Sequence, residues 1–403
     1  MKQLLVTGLV CMLCFLFFTG CAQGTGQQAS SVPTNPVEAW KSDRGKQELA
    51  CEIAKTLTSE EKIGQLLILG IAAPALTEND RDVLESCRAG GVILFDRNME
   101  SKEQVAALIQ DLQKLHINSR QLPLFVAIDQ EGGLVTRMRH ALLTPPPASV
   151  IAAGKDTKIA YDYAYQTGRE LKALGFNVNF APVLDISDNM DGRTYGSTPE
   201  QVALFGREAA RGLEDSGLLF TVKHFPGMGR SVTDPHHNTS SVKISKEDLL
   251  QKELLPFRSV ITQTRPDKML VMVGHVRYPD VDSEPASLSS VIITSILKKE
   301  LGYEGLICTD DLDMGAISKN YVPETAGIKA LQAGADLLLS CHTPAVQRRI
   351  YHGIVEALKN GSLSPTVIDK AAERVIYVKL KQLMTEEEVK AAYLRLHPAN
   401  IKP

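Results

Sequence analysis

"LLFTVKHF", residues 218 to 225, is an apolar run that closes on a lysine and a histidine. Short runs that are apolar at every position are the pattern of a strand buried on both faces of a parallel sheet. Seven more have the same character: "GQLLILGI" (64–71), "GVILF" (91–95), "LFVAID" (124–129), "VNFAPVLD" (178–185), "KMLVMVGH" (268–275), "GLICTDD" (305–311) and "ADLLLSC" (335–341). Helix-like segments separate them. Thr58 with Glu61, Thr77 with Asp80, and Ser245 with Asp248 have capping-box spacing at helix starts. Eight such alternations across residues 44–383, with no tandem repeat, predict an α/β chain folded as a single (β/α)8 TIM-type barrel. A doubly wound open sheet is the alternative. Residues 384–403 read as a C-terminal helix and tail.

The polar residues that packing does not explain sit at the C-terminal ends of these runs. Asp129 ends the third, Asp185 the fourth, Lys223 and His224 the fifth, His275 the sixth and Asp310 the seventh. In a barrel those ends converge on one mouth, where active sites are built. The expected active site is therefore at the C-terminal mouth of the strands.

The chain has 403 residues, 44% hydrophobic and 23% charged, enough to bury a full core without disulfides. A net charge of −3 and the lack of any basic run exclude a nucleic-acid footprint. At the N-terminus, Lys2, the apolar stretch Leu4 to Phe18 and "FTGC" read as an export signal over residues 1–20. The stretch falls short of the about 20 residues that span a bilayer. Small residues before Cys21 resemble the lipobox of bacterial lipoproteins, with Phe18 where that motif usually has leucine. Cys21 would then carry the lipid, and residues 21–43 a flexible tether, since "AQGTGQQASSVPTNP" (22–36) has almost nothing to bury. The expected location is the bacterial cell envelope, with the N-terminal lipid as the membrane contact. The remaining cysteines, Cys51, Cys87, Cys308 and Cys341, are scattered without C-x-x-C spacing. They read as small buried hydrophobes, with no metal site implied.

Asp310 and Asp311 end the seventh run. A carboxylate at a strand tip can attack an anomeric carbon, and the other reading is that one of the pair caps the next helix. The division expected here is Asp310 as nucleophile and Asp311 or Asp313 as cap. Asp234 and His236 are two apart, so in extended backbone, which Pro235 favours for Asp234, they project to one side. The carboxylate could hold one imidazole N–H and leave the other nitrogen to move protons; a polar surface loop is the bland alternative. His237, on the opposite side of an extended chain, reads as structural or solvated. "DQEGGLVTR" supplies Asp129 and Arg137, and "DNMDGRTYG" supplies Arg193. These groups suit sugar hydroxyls, or else form an internal ion pair closing the mouth. His275 and Glu131 read as supporting residues beside the site.

The ordered motifs "EKIGQLLI", "GGVILFDRN", "AIDQEGGLVTRM", "FAPVLDI", "KHFPG", "PASLSS", "GLICTDDLDMGAI" and "AGADLLLS" resemble glycoside hydrolase family 3, specifically its bacterial β-N-acetylhexosaminidases. The resemblance covers nearly the whole body of the chain. It implies that Asp310 is the nucleophile, that His236 paired with Asp234 is the acid/base, and that Asp129, Arg137, Arg193, Lys223 and His224 bind the sugar. Two departures stand out: Met228 where members usually read "PGHG", and Pro235 where serine is common.

The implied reaction is retaining removal of terminal β-linked N-acetylglucosamine, from muropeptides or chitooligosaccharides, with no metal or organic cofactor. Family 3 β-glucosidases generally take their acid/base from a second domain, which this chain lacks room for. The competing readings are a phosphorylase using the same residues, substrate-assisted hydrolysis through the N-acetyl group, a family 3 β-glycosidase of other sugar specificity, and a non-catalytic muropeptide-binding lipoprotein. Oligomeric state is left open.

Overall fold

The protein is described here from a computed structural model, which covers residues 40–115, 122–188, 190–229 and 240–398. Every one of the eight apolar runs contains a barrel strand: β1 Leu67–Gly70, β2 Gly91–Leu94, β3 Phe125–Ile128, β4 Val178–Asn179, β5 Leu219–Phe225, β6 Met269–Val273, β7 Leu306–Asp311 and β8 Leu337–Ser340. Each pairs in parallel with the next. The eighth closes on the first, with Leu67 opposite Leu338. Closure excludes the open doubly wound sheet and leaves no exposed edge.

The strands are apolar throughout because both faces are covered: helices pack outside, and side chains fill the inside. All four residues of β1, β2, β3 and β8 are buried. β4 is shorter than its run predicts. Pro182 has no N–H to give the ladder, so pairing continues past it only through Lys223, whose N–H donates to the Pro182 carbonyl and whose carbonyl accepts from Leu184. The seam between β1 and β8 is close enough to require glycine at position 70. A Cβ there would stand 1.9 Å from the Cys341 carbonyl oxygen.

Helix starts follow the reading. Thr58 with Glu61 and Thr77 with Asp80 form reciprocal capping boxes, and the Ser245 hydroxyl accepts from the Asp248 N–H. The first and last described helices meet in a satellite core outside the barrel. There the helices Asp43–Thr56 and Glu386–Leu396 bury Leu49, Ile53 and Val389 with Trp40 against Ile376 and Leu380. No helix among the described residues is long and apolar enough to cross a membrane. Cys87, Cys308 and Cys341 are buried as expected, whereas Cys51 is only half-buried, because its thiol faces Glu373 at 3.5 Å on the rim of that satellite core. All four thiols are free.

Candidate active site

The strand tips open into a cavity of about 980 Å³. Asp129, Arg137, Arg193, Lys223, His224 and Asp310 all line it, with an apolar lining from Ile93, Phe180, Met272 and Leu339. Six residues, the first and last 181 positions apart, are thus brought together by closure of the sheet. Asp234, His236, Pro235 and His237 lie outside the described residues, as do Cys21 and the rest of the leader and tether.

Lys223 is the hub on one wall. It is 3% exposed, and its ammonium sits 2.7 Å from Asp129 Oδ1 and 2.7 Å from Glu131 Oε1. Burial works against its charge, but Asp129 and Glu131 outweigh that and hold its pKa above the ordinary lysine value. Arg193 closes the network, donating through Nε and Nη2 to Glu131 at 2.8 and 2.9 Å. Burial would raise the Glu131 carboxyl; Lys223 and Arg193 overcome it and pull the value down to about 2. Glu131 is therefore the anion that keeps the buried Lys223 and the half-buried Arg193 in place. Asp129 also has Arg137 Nη2 at 3.8 Å, while Arg137 Nη1 donates to Asp96 at 3.2 Å. The internal ion pair and the row of hydrogen-bonding groups offered to the cavity are thus the same residues.

His224 is fixed by Asp185, the strand-tip carboxylate to which the sequence assigned no role. Nδ1 lies 2.7 Å from Asp185 Oδ2, so the hydrogen is on Nδ1 and the ring is oriented by a carboxylate 39 positions earlier. The same carboxylate accepts the Met228 N–H at 2.7 Å. That contact uses the backbone, so it tolerates methionine where histidine is usual. The Met228 side chain lines the cavity. Next to it, Gly229 has no room for a Cβ, which would fall 2.1 Å from the Ile186 carbonyl oxygen.

Asp310 is held as an anion. Burial pushes its carboxyl up, yet His224, His275, the N–H of Asp311 and Lys223 together outweigh burial and keep it below the ordinary aspartate value. The Asp311 N–H donates to Asp310 Oδ1 at 2.8 Å. Asp311 goes the other way, raised to about 7 by burial and then by Asp313.

The expected helix cap is corrected. The helix Gly315–Ser318 has Met314 at its cap position and no side-chain cap. Asp311 instead accepts the N–H groups of Asp313 and Cys341. Asp313 accepts the Ser340 hydroxyl at 2.7 Å and the N–H groups of His342 and Thr343. Those N–H groups lie just ahead of the helix Pro344–Lys359, so the carboxylates at and just after the end of β7 are drawn to the β8 loop beside them. His275, read as a supporting residue, is buried with Nε2 2.8 Å from the Asp311 carbonyl. Two rim residues went unread. His342 lies tilted against Phe95 with ring centroids 5.2 Å apart, and its Nδ1 lies 3.1 Å from Arg97 Nη1.

An anionic carboxylate, a buried ammonium, two guanidiniums and an oriented imidazole around one cavity suit a polyhydroxylated ligand with a reactive carbon. Comparison with known proteins agrees. The sequence profile "Glycosyl hydrolase family 3 N terminal domain" matches residues 58–378. The chain is 31% identical over 341 residues to a beta-hexosaminidase of Methylococcus capsulatus, covering 82% of this chain and 98% of that one. It is 33% identical over 343 residues to beta-hexosaminidase LpqI of Mycobacterium tuberculosis, covering 81% and 84%. A solved family 3 β-N-acetylglucosaminidase from Paenibacillus superposes with a TM-score of 0.77 at 36% identity, over 85% of this chain and 68% of that one. The chain belongs to glycosyl hydrolase family 3 and is a glycoside hydrolase.

Proposed function

We propose that the chain is a retaining exo-β-N-acetylglucosaminidase with Asp310 as its nucleophile. The observation that carries this reading is the Asp310 carboxyl, half-buried in the cavity wall and favoured as an anion by His224, His275 and Lys223. The names of its relatives, beta-hexosaminidases and a β-N-acetylglucosaminidase, supply the sugar. Asp129, Arg137, Arg193, Lys223 and His224 grip a terminal N-acetylglucosamine. Asp310 then attacks its anomeric carbon while His236, held by Asp234, gives its proton to the leaving oxygen. The C–O bond to the aglycone breaks as the bond to Asp310 forms. His236 next takes a proton from water, and the resulting hydroxide displaces Asp310 with net retention. A lipid on Cys21 and the following tether would hold the barrel, residues 44–383, at the envelope within reach of muropeptides.

The test is release of 4-nitrophenol from 4-nitrophenyl β-N-acetylglucosaminide by the full chain. Asp310→Ala is expected to abolish turnover and His236→Ala to reduce it by about 10²- to 10⁴-fold, the usual share of general acid–base catalysis. A fully active Asp310→Ala variant would sink the proposal. Formation of N-acetylglucosamine 1-phosphate in added phosphate would convert it to a phosphorylase.

A further inference from the structure

The motif "PASLSS", residues 285–290, is unaccounted for by the sugar grip and by the acid/base pair. It forms a tight turn, Ala286–Leu288, at the end of a two-stranded ribbon that leaves β6 (Arg277–Tyr278 against Asp282–Pro285). The turn docks back on the chain at both sides of His275. The Ser287 N–H donates to the Gly274 carbonyl at 3.0 Å, and the Ala286 N–H to the Val276 carbonyl at 3.0 Å. This brings the Ser287 hydroxyl 2.7 Å from His275 Nδ1. The other ring nitrogen lies 2.8 Å from the Asp311 carbonyl oxygen. A carbonyl only accepts, so Nε2 carries the hydrogen. Ser287 and His275 are 0% and 1% exposed, and burying a hydroxyl and an imidazole is costly unless both are used.

The end point of this chain of contacts is the residue that orients the nucleophile. Asp311 gives its N–H to Asp310 Oδ1 at 2.8 Å and its carbonyl to His275. We propose that Ser287 and His275 are positioning residues that act on Asp310 through the backbone of Asp311. The proposal rests on Asp310 being the nucleophile. The groups facing Asp310 are Lys223 and His224 on β5, His275 beyond β6, Asp311 and Cys308 on its own strand, and Cys341 beyond β8. Among those that favour its anion, His275 ranks next to His224. Loss of His275 therefore both loosens the carboxylate and lets its pKa rise. Less of it is ionised at low pH, and the acidic limb of kcat/KM moves to higher pH.

The experiment compares full-chain Ser287→Ala, His275→Leu and His275→Gln with the parent and Asp310→Ala on 4-nitrophenyl β-N-acetylglucosaminide across pH. A misplaced nucleophile costs rate in the transition state, so His275→Leu is expected to lose about 100-fold and Ser287→Ala about 10-fold in kcat. KM should stay within about 2-fold, because the sugar grip is intact. Both variants should shift the acidic limb upward, and His275→Gln, which keeps a donor for the Asp311 carbonyl, should recover part of the rate. Should His275→Leu not fold, Ser287→Ala and His275→Gln decide the matter. A folded Ser287→Ala with parental kcat and an unmoved limb overturns the relay, as does a loss confined to KM. An active Asp310→Ala overturns the nucleophile reading itself, an outcome distinct from failure of the relay alone.

Discussion

Asp310 and Asp311 are consecutive carboxyls that the fold drives apart: His224, His275 and Lys223 lower the first, while burial and Asp313 raise the second to about 7. Two like groups with separated affinities are what an active site needs to keep one anion in a crowded mouth. The difference has a measurable consequence. Asp311 holds its proton in the folded protein up to about pH 7, whereas in the unfolded chain it gives it up near its ordinary 3.8. Between those values the folded state binds more protons, so stability falls as pH rises. Asp311→Asn cannot titrate, and its amide oxygen can still accept from Asp313 and Cys341. Its stability is expected to fall less than the parent's from pH 4 to pH 7 in denaturant titrations. Parallel pH profiles for the two proteins would contradict this assignment.

At the scale of elements, the stretch between β5 and the segment 230–239 is held by backbone contacts that depend on shape. Gly229 lies against the Ile186 carbonyl, and the neighbouring Met228 N–H reaches Asp185, which also orients His224. A Cβ on residue 229 meets backbone, which cannot swing aside. Gly229→Ala is expected to lower kcat/KM by about 10²-fold, the cost of a displacement of about 1 Å near the chemistry, with a smaller effect on Tm. Parental kinetics would show that this contact does not set the site.

The same scale shows what was legible beforehand. Each strand could be read because a strand covered on both faces leaves a continuous apolar run. Lys223, His224, Asp129 and Asp310 could be read because polar groups ending such runs have no packing role. The Asp185–His224 pair spans 39 positions, His275 and the Asp311 carbonyl 36, and Asp313 with the His342 N–H 29. Those partnerships exist only after the sheet closes, and local spacing does not encode them. The helix cap assigned to Asp311 or Asp313 failed for this reason, since these carboxylates accept from N–H groups of the β8 loop, 29 to 30 positions away, instead. Glu131 was undervalued because a carboxylate beyond a strand tip looks the same whether it faces solvent or a pair of cations such as Lys223 and Arg193.

For the whole molecule, among the described residues, the end of the barrel away from the cavity holds a buried cation, Lys379, with no carboxylate beside it. Lys379, 0% exposed, donates to Gln65 Oε1 at 2.7 Å and to the Gly90 carbonyl at 2.8 Å, and lies 4.9 Å from the Phe125 ring centroid. Burial lowers its pKa to about 7. In the unfolded chain lysine keeps its proton to about pH 10.4. Between those values the unfolded state binds more protons, so this group makes stability rise with pH. Lys379→Met, a similar volume without charge, is expected to remove that rise between pH 7 and pH 10. An unchanged slope would mean that the two acceptors keep the ammonium charged and that its burial costs little.

The claim on which the rest depends is a covalent bond between sugar and Asp310. It is tested by incubating the full chain with an activated 5-fluoro glycoside of N-acetylglucosamine, which keeps the 2-acetamido group, then measuring intact mass and mapping the label. The account predicts one added sugar per chain, carried by the peptide containing Leu306–Asp311, and none on Asp310→Ala. Rapid turnover with no adduct, or a label on any other residue, would contradict it.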